Sequence, residues 1–158
     1  MENTLIIKLE TKLNDFEFVQ IQNDDTKNFN KLKKKIKKEN NNYGCCLFKK
    51  MNSNEKIICY VNKKTNELAS FIWFGIYSSN EINLNSVDKI SHINFSYTFD
   101  KFKKMRLNTN LRLWIETYSK INKINYIISV PLPGSYSENI LIKLGYDKKD
   151  TYYIKKIF

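Results

Sequence analysis

The stretch "HINFSYTFDKFKKMRLNTNLRLWIETYSK", His92 to Lys120, decides how this chain is read. Its first third alternates as a strand does: Ile93, Phe95, Tyr97 and Phe99 share one face, and His92, Asn94, Ser96 and Thr98 share the other. Leu107, Leu111, Trp114/Ile115, Tyr118 and Ile121 then recur at helical spacing. Between strand and helix lies the turn where nucleotide-binding folds usually carry glycines, and here it holds lysines, an arginine and asparagines. Glycine is not what binds a phosphate. The backbone N–H groups at a helix start, aided by the helix dipole, do that. Glycine only tolerates positive φ and lets the backbone come close. Asparagine is among the residues that bear a left-handed conformation best, so Asn108 is a tolerable replacement, and Arg106 can contact a phosphate itself. Lys103, Lys104 and Arg106, with the N–H groups of Arg106, Leu107 and Asn108, are the candidate phosphate-binding groups. The bland alternative is a solvated basic turn opening an ordinary helix.

Working outward, "NYIISVP" reads as a short buried strand bounded by Pro131 and Pro133. "SENILIKLGY" reads as a helix stopped by Gly145, and "TYYIKKIF" as a final strand. Upstream, "TLIIKLE" and "FEFVQIQ" are short apolar stretches, and the second alternates as a strand. Asp24 and Asp25 stand at a helix N-cap position. Phe29, Leu32 and Ile36 form the stripe of a helix embedded in "NKLKKKIKK", ended by "ENNNY" and Gly44. That lysine run reads as the solvated face of an amphipathic helix before it reads as a polyanion patch. "CCLFKK", "KIICYVN" and "LASFIWFGIYS", separated by polar loops, predict an antiparallel meander. The order implies an α+β fold: a mixed, mostly antiparallel central sheet flanked by helices, forming one domain over residues 1–158.

Bulk properties narrow the function. At 158 residues, 42% hydrophobic and 14% aromatic, the chain can bury a real core. No apolar run reaches the ~20 residues that span a bilayer, and the start lacks a signal-peptide pattern. Cys45, Cys46 and Cys59 make no paired framework, and with His92 as the only histidine they offer no metal site. A reducing, cytoplasmic setting and no metal are therefore expected. The net charge is +11, yet only Arg106 and Arg112 among 27 basic residues are arginine. Lysine, asparagine, isoleucine and tyrosine come from AT-rich codons, so the charge favours anionic ligands without arguing for nucleic acid.

The order of elements, the phosphate-type turn and a late "LGY" together resemble the GNAT acetyltransferase superfamily. Its turn, Arg/Gln-x-x-Gly-x-Gly/Ala, falls with Lys103 at the basic position, Arg106 and Asn108 at the glycines and Leu111 at the following leucine. Its late Leu-Tyr-x-x-x-Gly-Phe falls on Ile140, Leu141, Gly145 and Tyr146. Within the superfamily the C-terminal half resembles the glucosamine 6-phosphate N-acetyltransferases, through His92–Ile93, Ser119–Lys120 and Leu132–Pro133. The branch's acidic pair is replaced by Asn94 and Phe95, and its tyrosine by Leu141.

The resemblance implies an acyl-CoA N-acyltransferase fold and transfer of an acetyl group from acetyl-CoA to a small-molecule amine, glucosamine 6-phosphate being the best single acceptor. It implies backbone N–H groups near Tyr97, Thr98 and Phe99 that polarise the thioester carbonyl, and Asn94 as an acceptor-binding residue. With Leu141 in place of the usual acid, Tyr136 is the nearest substitute. His92, on the polar face of its strand, is the candidate base. A homodimer paired through the terminal strand is a further expectation. A degenerate module that keeps the architecture without the chemistry is the competing reading, and a small basic nucleic-acid binder ranks third.

Overall fold

The structure, a computed structural model, describes residues 13–22, 24–39, 51–78 and 88–158. "TLIIKLE", the end of the first helix at "ENNNY" and Gly44, and "CCLFKK" with Cys45 and Cys46 fall outside those residues. Strand β1 is Phe16–Ile21, helix α1 Thr26–Glu39, β2 Glu55–Asn62, β3 Leu68–Ser78 and β4 Lys89–Thr98. A 3-10 turn, Asp100–Phe102, leads to helix α2, Leu107–Ile121, then β5 Tyr126–Ser129 and α3 Tyr136–Lys143. Two short strands, β6 Asp147–Lys148 and β7 Tyr153–Lys156, follow. Among the described residues seven strands make one sheet in the order β1-β2-β3-β4-β5-β7-β6, in which β4–β5 is the parallel pair and the others are antiparallel. The mixed, mostly antiparallel sheet read from the sequence is thus observed.

The expected caps are present. Asp25 Oδ1 accepts the Asn28 N–H at 3.2 Å, so Asp25 caps α1 and not Asp24. After α3, Gly145 takes φ 75°, and Tyr146 N–H donates to Leu141 O at 3.0 Å, the closing pattern that a left-handed residue permits. Helices cover both faces of the sheet. Trp73 meets Phe29 of α1, while its neighbour Phe74 meets Trp114 and Tyr118 of α2. Adjacent strand residues point to opposite faces, which fixes α1 and α2 on opposite sides. Trp114, 2% exposed, stacks on Tyr118 at 5.1 Å and meets Phe18 at 5.2 Å. Cys59 lies in this core, where burial, then Glu17, pushes its thiol up to about 12. It is packing, not a nucleophile.

Two expectations are corrected. The alternation of β4 does not run through: Trp73 pairs with Phe95 but Phe74 pairs with Ile93, leaving Asn94 as an extra residue. Because cross-strand partners share a face, Ile93 lies on the α2 side while Phe95 and Tyr97 lie on the α1 side. A bulge resets the period, and nothing in a period-two pattern announces it. The terminal strand is also not the sheet edge, since β6 pairs with its outer side at Asp147–Ile154 and Lys148–Tyr153. Pairing of two copies through that strand loses its premise.

The end of α3 that matters most is tied to β7. Ser135 Oγ accepts the Glu138 N–H, while Glu138 accepts from Gly134 N–H at 2.6 Å and Tyr153 Oη at 2.6 Å. These bonds, Tyr153 first, hold the Glu138 carboxyl below its ordinary range. A depressed carboxyl contributes stability that is complete above its unfolded pKa and lost as pH falls through the folded value. Glu138→Gln should therefore flatten the fall in melting temperature between roughly pH 5 and pH 3, read by circular dichroism. Trp114→Ala should cost about 3–5 kcal/mol in denaturant unfolding.

Candidate active site

Strands β4 and β5 pair from Ile90–Tyr126 to Ile93–Ser129 and no farther. Pro131 and Pro133 follow β5 and have no N–H to offer a ladder. β4 continues to Thr98, so residues 94–98 present an edge that β5 leaves unpaired. Phe99 N–H donates to Ala69 O at 3.0 Å, on the β3 side. By the alternation of an antiparallel ladder, Tyr97 N–H also faces β3, and the N–H groups of Ser96 and Thr98 face the open edge. A cleft of about 480 Å³ fills the gap, walled by Phe95 to Thr98, by the turn and start of α2, and by Leu132 and Ser135 to Ser137 with Ile140.

The turn at one end answers the question raised by its missing glycines. Lys104 takes φ 67° and Arg106 φ 59°. Each left-handed non-glycine residue costs about 1–2 kcal/mol, and Arg106 sits where the resemblance expects a glycine. Asn108 does not take the strained conformation expected of it, because it lies inside α2. Helix α2 has no side-chain cap, and its first backward bond is Asn110 N–H to Arg106 O at 3.0 Å. The N–H groups of Leu107, Asn108 and Thr109 therefore lack an intrahelical acceptor and open toward the cleft these residues line. Lys103 is paired to Asp100, whose hydrogen bond holds the ammonium above its ordinary range. Lys104 and Arg106 are exposed and make no ion pair among the described residues, so the uncompensated positive charge belongs to them.

Beneath the cleft lies a residue the sequence reading passed over. Arg112 is 1% exposed and donates to Asn108 Oδ1 at 2.9 Å, Ser96 Oγ at 3.0 Å and Ser129 Oγ at 3.4 Å. It joins α2 to β4 and β5 where the strands part. Burial pushes it down to about 10, against the pull of Tyr146 and Glu116, which leaves it a cation at neutral pH. The signal was available: Asn108, Arg112, Glu116 and Ser119 recur at helical spacing beside the apolar stripe, and all four are buried.

The other predicted residues divide into three groups. Tyr97, Thr98, Lys103, Lys104, Arg106, Leu107, Asn108 and Tyr136 all line the cleft. Phe99 does not, being 1% exposed with its N–H engaged by β3, and Ser96 takes its place on the open edge. His92 and Asn94, the latter the bulge residue itself, do not line the cleft and are bonded to one another at 2.8 Å. Leu141 is fully buried, so no hydroxyl replaces the family tyrosine there, whereas Tyr136 and Ser137 bring hydroxyls to the wall. Ser137, Thr109 and Ser96 were not singled out in the sequence, because lone hydroxyl residues carry no spacing signal.

No family model matches the sequence, and no curated protein matches it. Solved structures do match its shape. An aminoglycoside acetyltransferase from an uncultured soil metagenomic sample, in complex with trehalose, superposes with a TM-score of 0.69 at 7% identity, over 87% of this chain and 92% of that one. Arabidopsis thaliana NAA60 in complex with acetyl-CoA gives 0.69 at 8% identity, over 90% and 98%. Arylalkylamine N-acetyltransferase 2 from Aedes aegypti gives 0.67 at 13%, over 92% and 100%. With its mixed seven-stranded sheet and helices on both faces, the chain has the GNAT acyl-CoA N-acyltransferase fold.

Proposed function

We propose that the chain is an acetyl-CoA-dependent N-acetyltransferase acting on the primary amine of a small, anionic acceptor, with glucosamine 6-phosphate the best single candidate. One observation carries the reading: β4 outruns its pairing with β5, which ends at Ile93–Ser129, so that the N–H groups of Ser96 and Thr98 face a gap between an uncapped helix N-terminus and a bulge. The residues fit the co-substrate. Lys104, Arg106 and the N–H groups of Leu107, Asn108 and Thr109 offer charge and donors to a pyrophosphate. The edge of β4, with Ser96 and Thr98 as donors, suits an extended arm bearing amide groups. When bound, acetyl-CoA supplies an acetyl group activated as a thioester.

The chain's own groups do the rest. Leu132 and Ile140 give the cleft an apolar wall, and the Arg112 cation under Ser96 favours negative charge above it. Tyr136 and Ser137 are hydroxyls able to return a proton to a leaving group. Beside the bulge end of the cleft, Asn94 is an acceptor-binding group and His92 the base. The chain's charge favours an anionic acceptor, and the His92–Ile93, Ser119–Lys120 and Leu132–Pro133 pairs favour an amino-sugar phosphate. A free, buried Cys59 fits a cytosolic, reducing setting. A second reading, a module that binds but does not transfer, is favoured by Leu141 and by the strain at Lys104 and Arg106.

Calorimetric titration with acetyl-CoA is expected to give micromolar binding, about 8 kcal/mol. Arg106→Gly separates strain from charge. Relief of the left-handed residue should raise stability by on the order of 1 kcal/mol, while the lost charged donor should weaken acetyl-CoA by roughly tenfold. No heat and no thermal stabilisation with millimolar acetyl-CoA would sink the enzyme reading. Binding without acetylation of glucosamine 6-phosphate or of a panel of primary amines would favour the second.

A further inference from the structure

The bulge at Asn94 gathers side chains that lie outside the cleft's lining. Glu55, at the start of β2, is buried and makes no ion pair among the described residues. Its Oε1 accepts hydrogen bonds from Tyr77 Oη at 2.7 Å and Asn94 Nδ2 at 3.0 Å, and its Oε2 accepts from the Asn52 N–H at 2.7 Å. A carboxylate can only accept, so the Asn94 amide must turn its NH2 group toward Glu55. Asn94 Oδ1, which also only accepts, is then the atom 2.8 Å from His92 Nδ1. That contact is a hydrogen bond only if Nδ1 carries the hydrogen. The remaining ring nitrogen, Nε2, has no partner among the described residues and holds the basic lone pair of the neutral ring.

Tyr77 braces this arrangement. Its ring stands edge-on to the imidazole, with centroids 6.2 Å apart and an interplanar angle of 82°. It also lies across Gly75, the β3 residue paired with His92, where an added Cβ would sit 2.6 Å from the Tyr77 ring and hydroxyl. A side chain at position 75 would therefore push Tyr77 off Glu55.

We propose that Glu55 and Asn94 are positioning residues that fix His92 as its Nδ1–H tautomer, so that Nε2 takes the proton from the ammonium group of the acceptor amine. The proposal rests on the acetyltransferase reading. In the step, an N–H bond of the ammonium breaks and its electron pair stays on nitrogen as the nucleophilic lone pair. The proton forms a new N–H bond at Nε2. The imidazolium so formed is held by the Asn94 carbonyl, itself polarised by Glu55, which is how a buried carboxylate supports a histidine base through an intermediary. A base placed this way supplies roughly 10²–10⁴-fold in rate.

His92 is the chain's only histidine, so its ring nitrogens are read without ambiguity. Nitrogen-15 NMR of the full chain, at a pH where the ring is neutral, should show the Nδ1–H tautomer favoured by roughly tenfold, the ratio one good hydrogen bond sets. Asn94→Leu removes the acceptor, and Glu55→Gln frees the Asn94 amide to turn over; both should bring the ratio near one. If Asn94→Leu does not fold, the near-isosteric Glu55→Gln carries the comparison. A wild-type ring with its hydrogen on Nε2 overturns the proposal without any variant, as does a ratio that neither substitution moves. Saturating acetyl-CoA should shift the Nε2 resonance. Calorimetric binding without that shift would put His92 away from the chemistry and overturn its role as base. No calorimetric binding would instead remove the acetyltransferase reading, while the tautomer result would stand by itself.

Discussion

The parting of β4 from β5 is the constraint on which the site depends. Parallel pairing stops at Ile93–Ser129, and beyond it alternate residues of β4, Ser96 and Thr98, aim backbone groups at a gap. Unsatisfied edge groups are a liability in a folded chain, and most sheets cover them. Here the parting is enforced twice. Pro131 and Pro133 deny β5 the donors needed to continue, and Arg112 sets its guanidinium between Ser96 and Ser129 from below. A buried cation with three neutral acceptors does not favour folding of itself, since desolvation cancels much of what its hydrogen bonds return. Its position between the diverging strands is better explained by the shape of the gap than by stability.

Charge and strain trade against each other at the turn. Lys104 and Arg106 hold left-handed conformations that glycine would adopt at no steric cost. The cost of each is about 1–2 kcal/mol, while a single charge-assisted hydrogen bond to an anion returns about 1.5–3 kcal/mol. The exchange is close to even, so an anion bound there would offset the strain of a basic turn. Lys103 shows the contrast. It is tied to Asp100 and adds little outward charge.

The elements themselves were legible because their signals are local. β3 runs over the eleven residues of "LASFIWFGIYS", and Phe29, Leu32 and Ile36 all lie buried. The turn was legible as a place, since Arg106 occupies the left-handed position that the glycine pattern assigned to it. What failed was anything requiring the partner strand. The bulge depends on register against β3, so Ile93 and Phe95 could not be separated by reading β4 alone. Asn108 was assigned the strain because its chemistry tolerates strain, but the helix begins one residue before it, and its amide serves Arg112. Glu55 was invisible for the same reason. It opens an ordinary strand in the sequence, and only the fold brings it within reach of Asn94, 39 positions later.

These pieces set an electrical direction along β4. Cations lie at the turn, a buried guanidinium lies under the middle, and a buried carboxylate lies past the bulge at the other end. Two opposite charges 4 Å apart interact by about 1 kcal/mol in water and about 4 kcal/mol at the effective dielectric near a protein surface, so this ordering counts most where water is kept out. A strongly basic protein would repel an ammonium from most of its surface, and Glu55 is a buried carboxylate built into the sheet. Under the proposed reading, the acceptor's charged amine and its anionic portion should therefore face different ends of the site. The amine goes to the bulge, and the anion stays toward the lysine-rich exterior. An acceptor carrying both charges fits that field, whereas a polycation meets it at one point only.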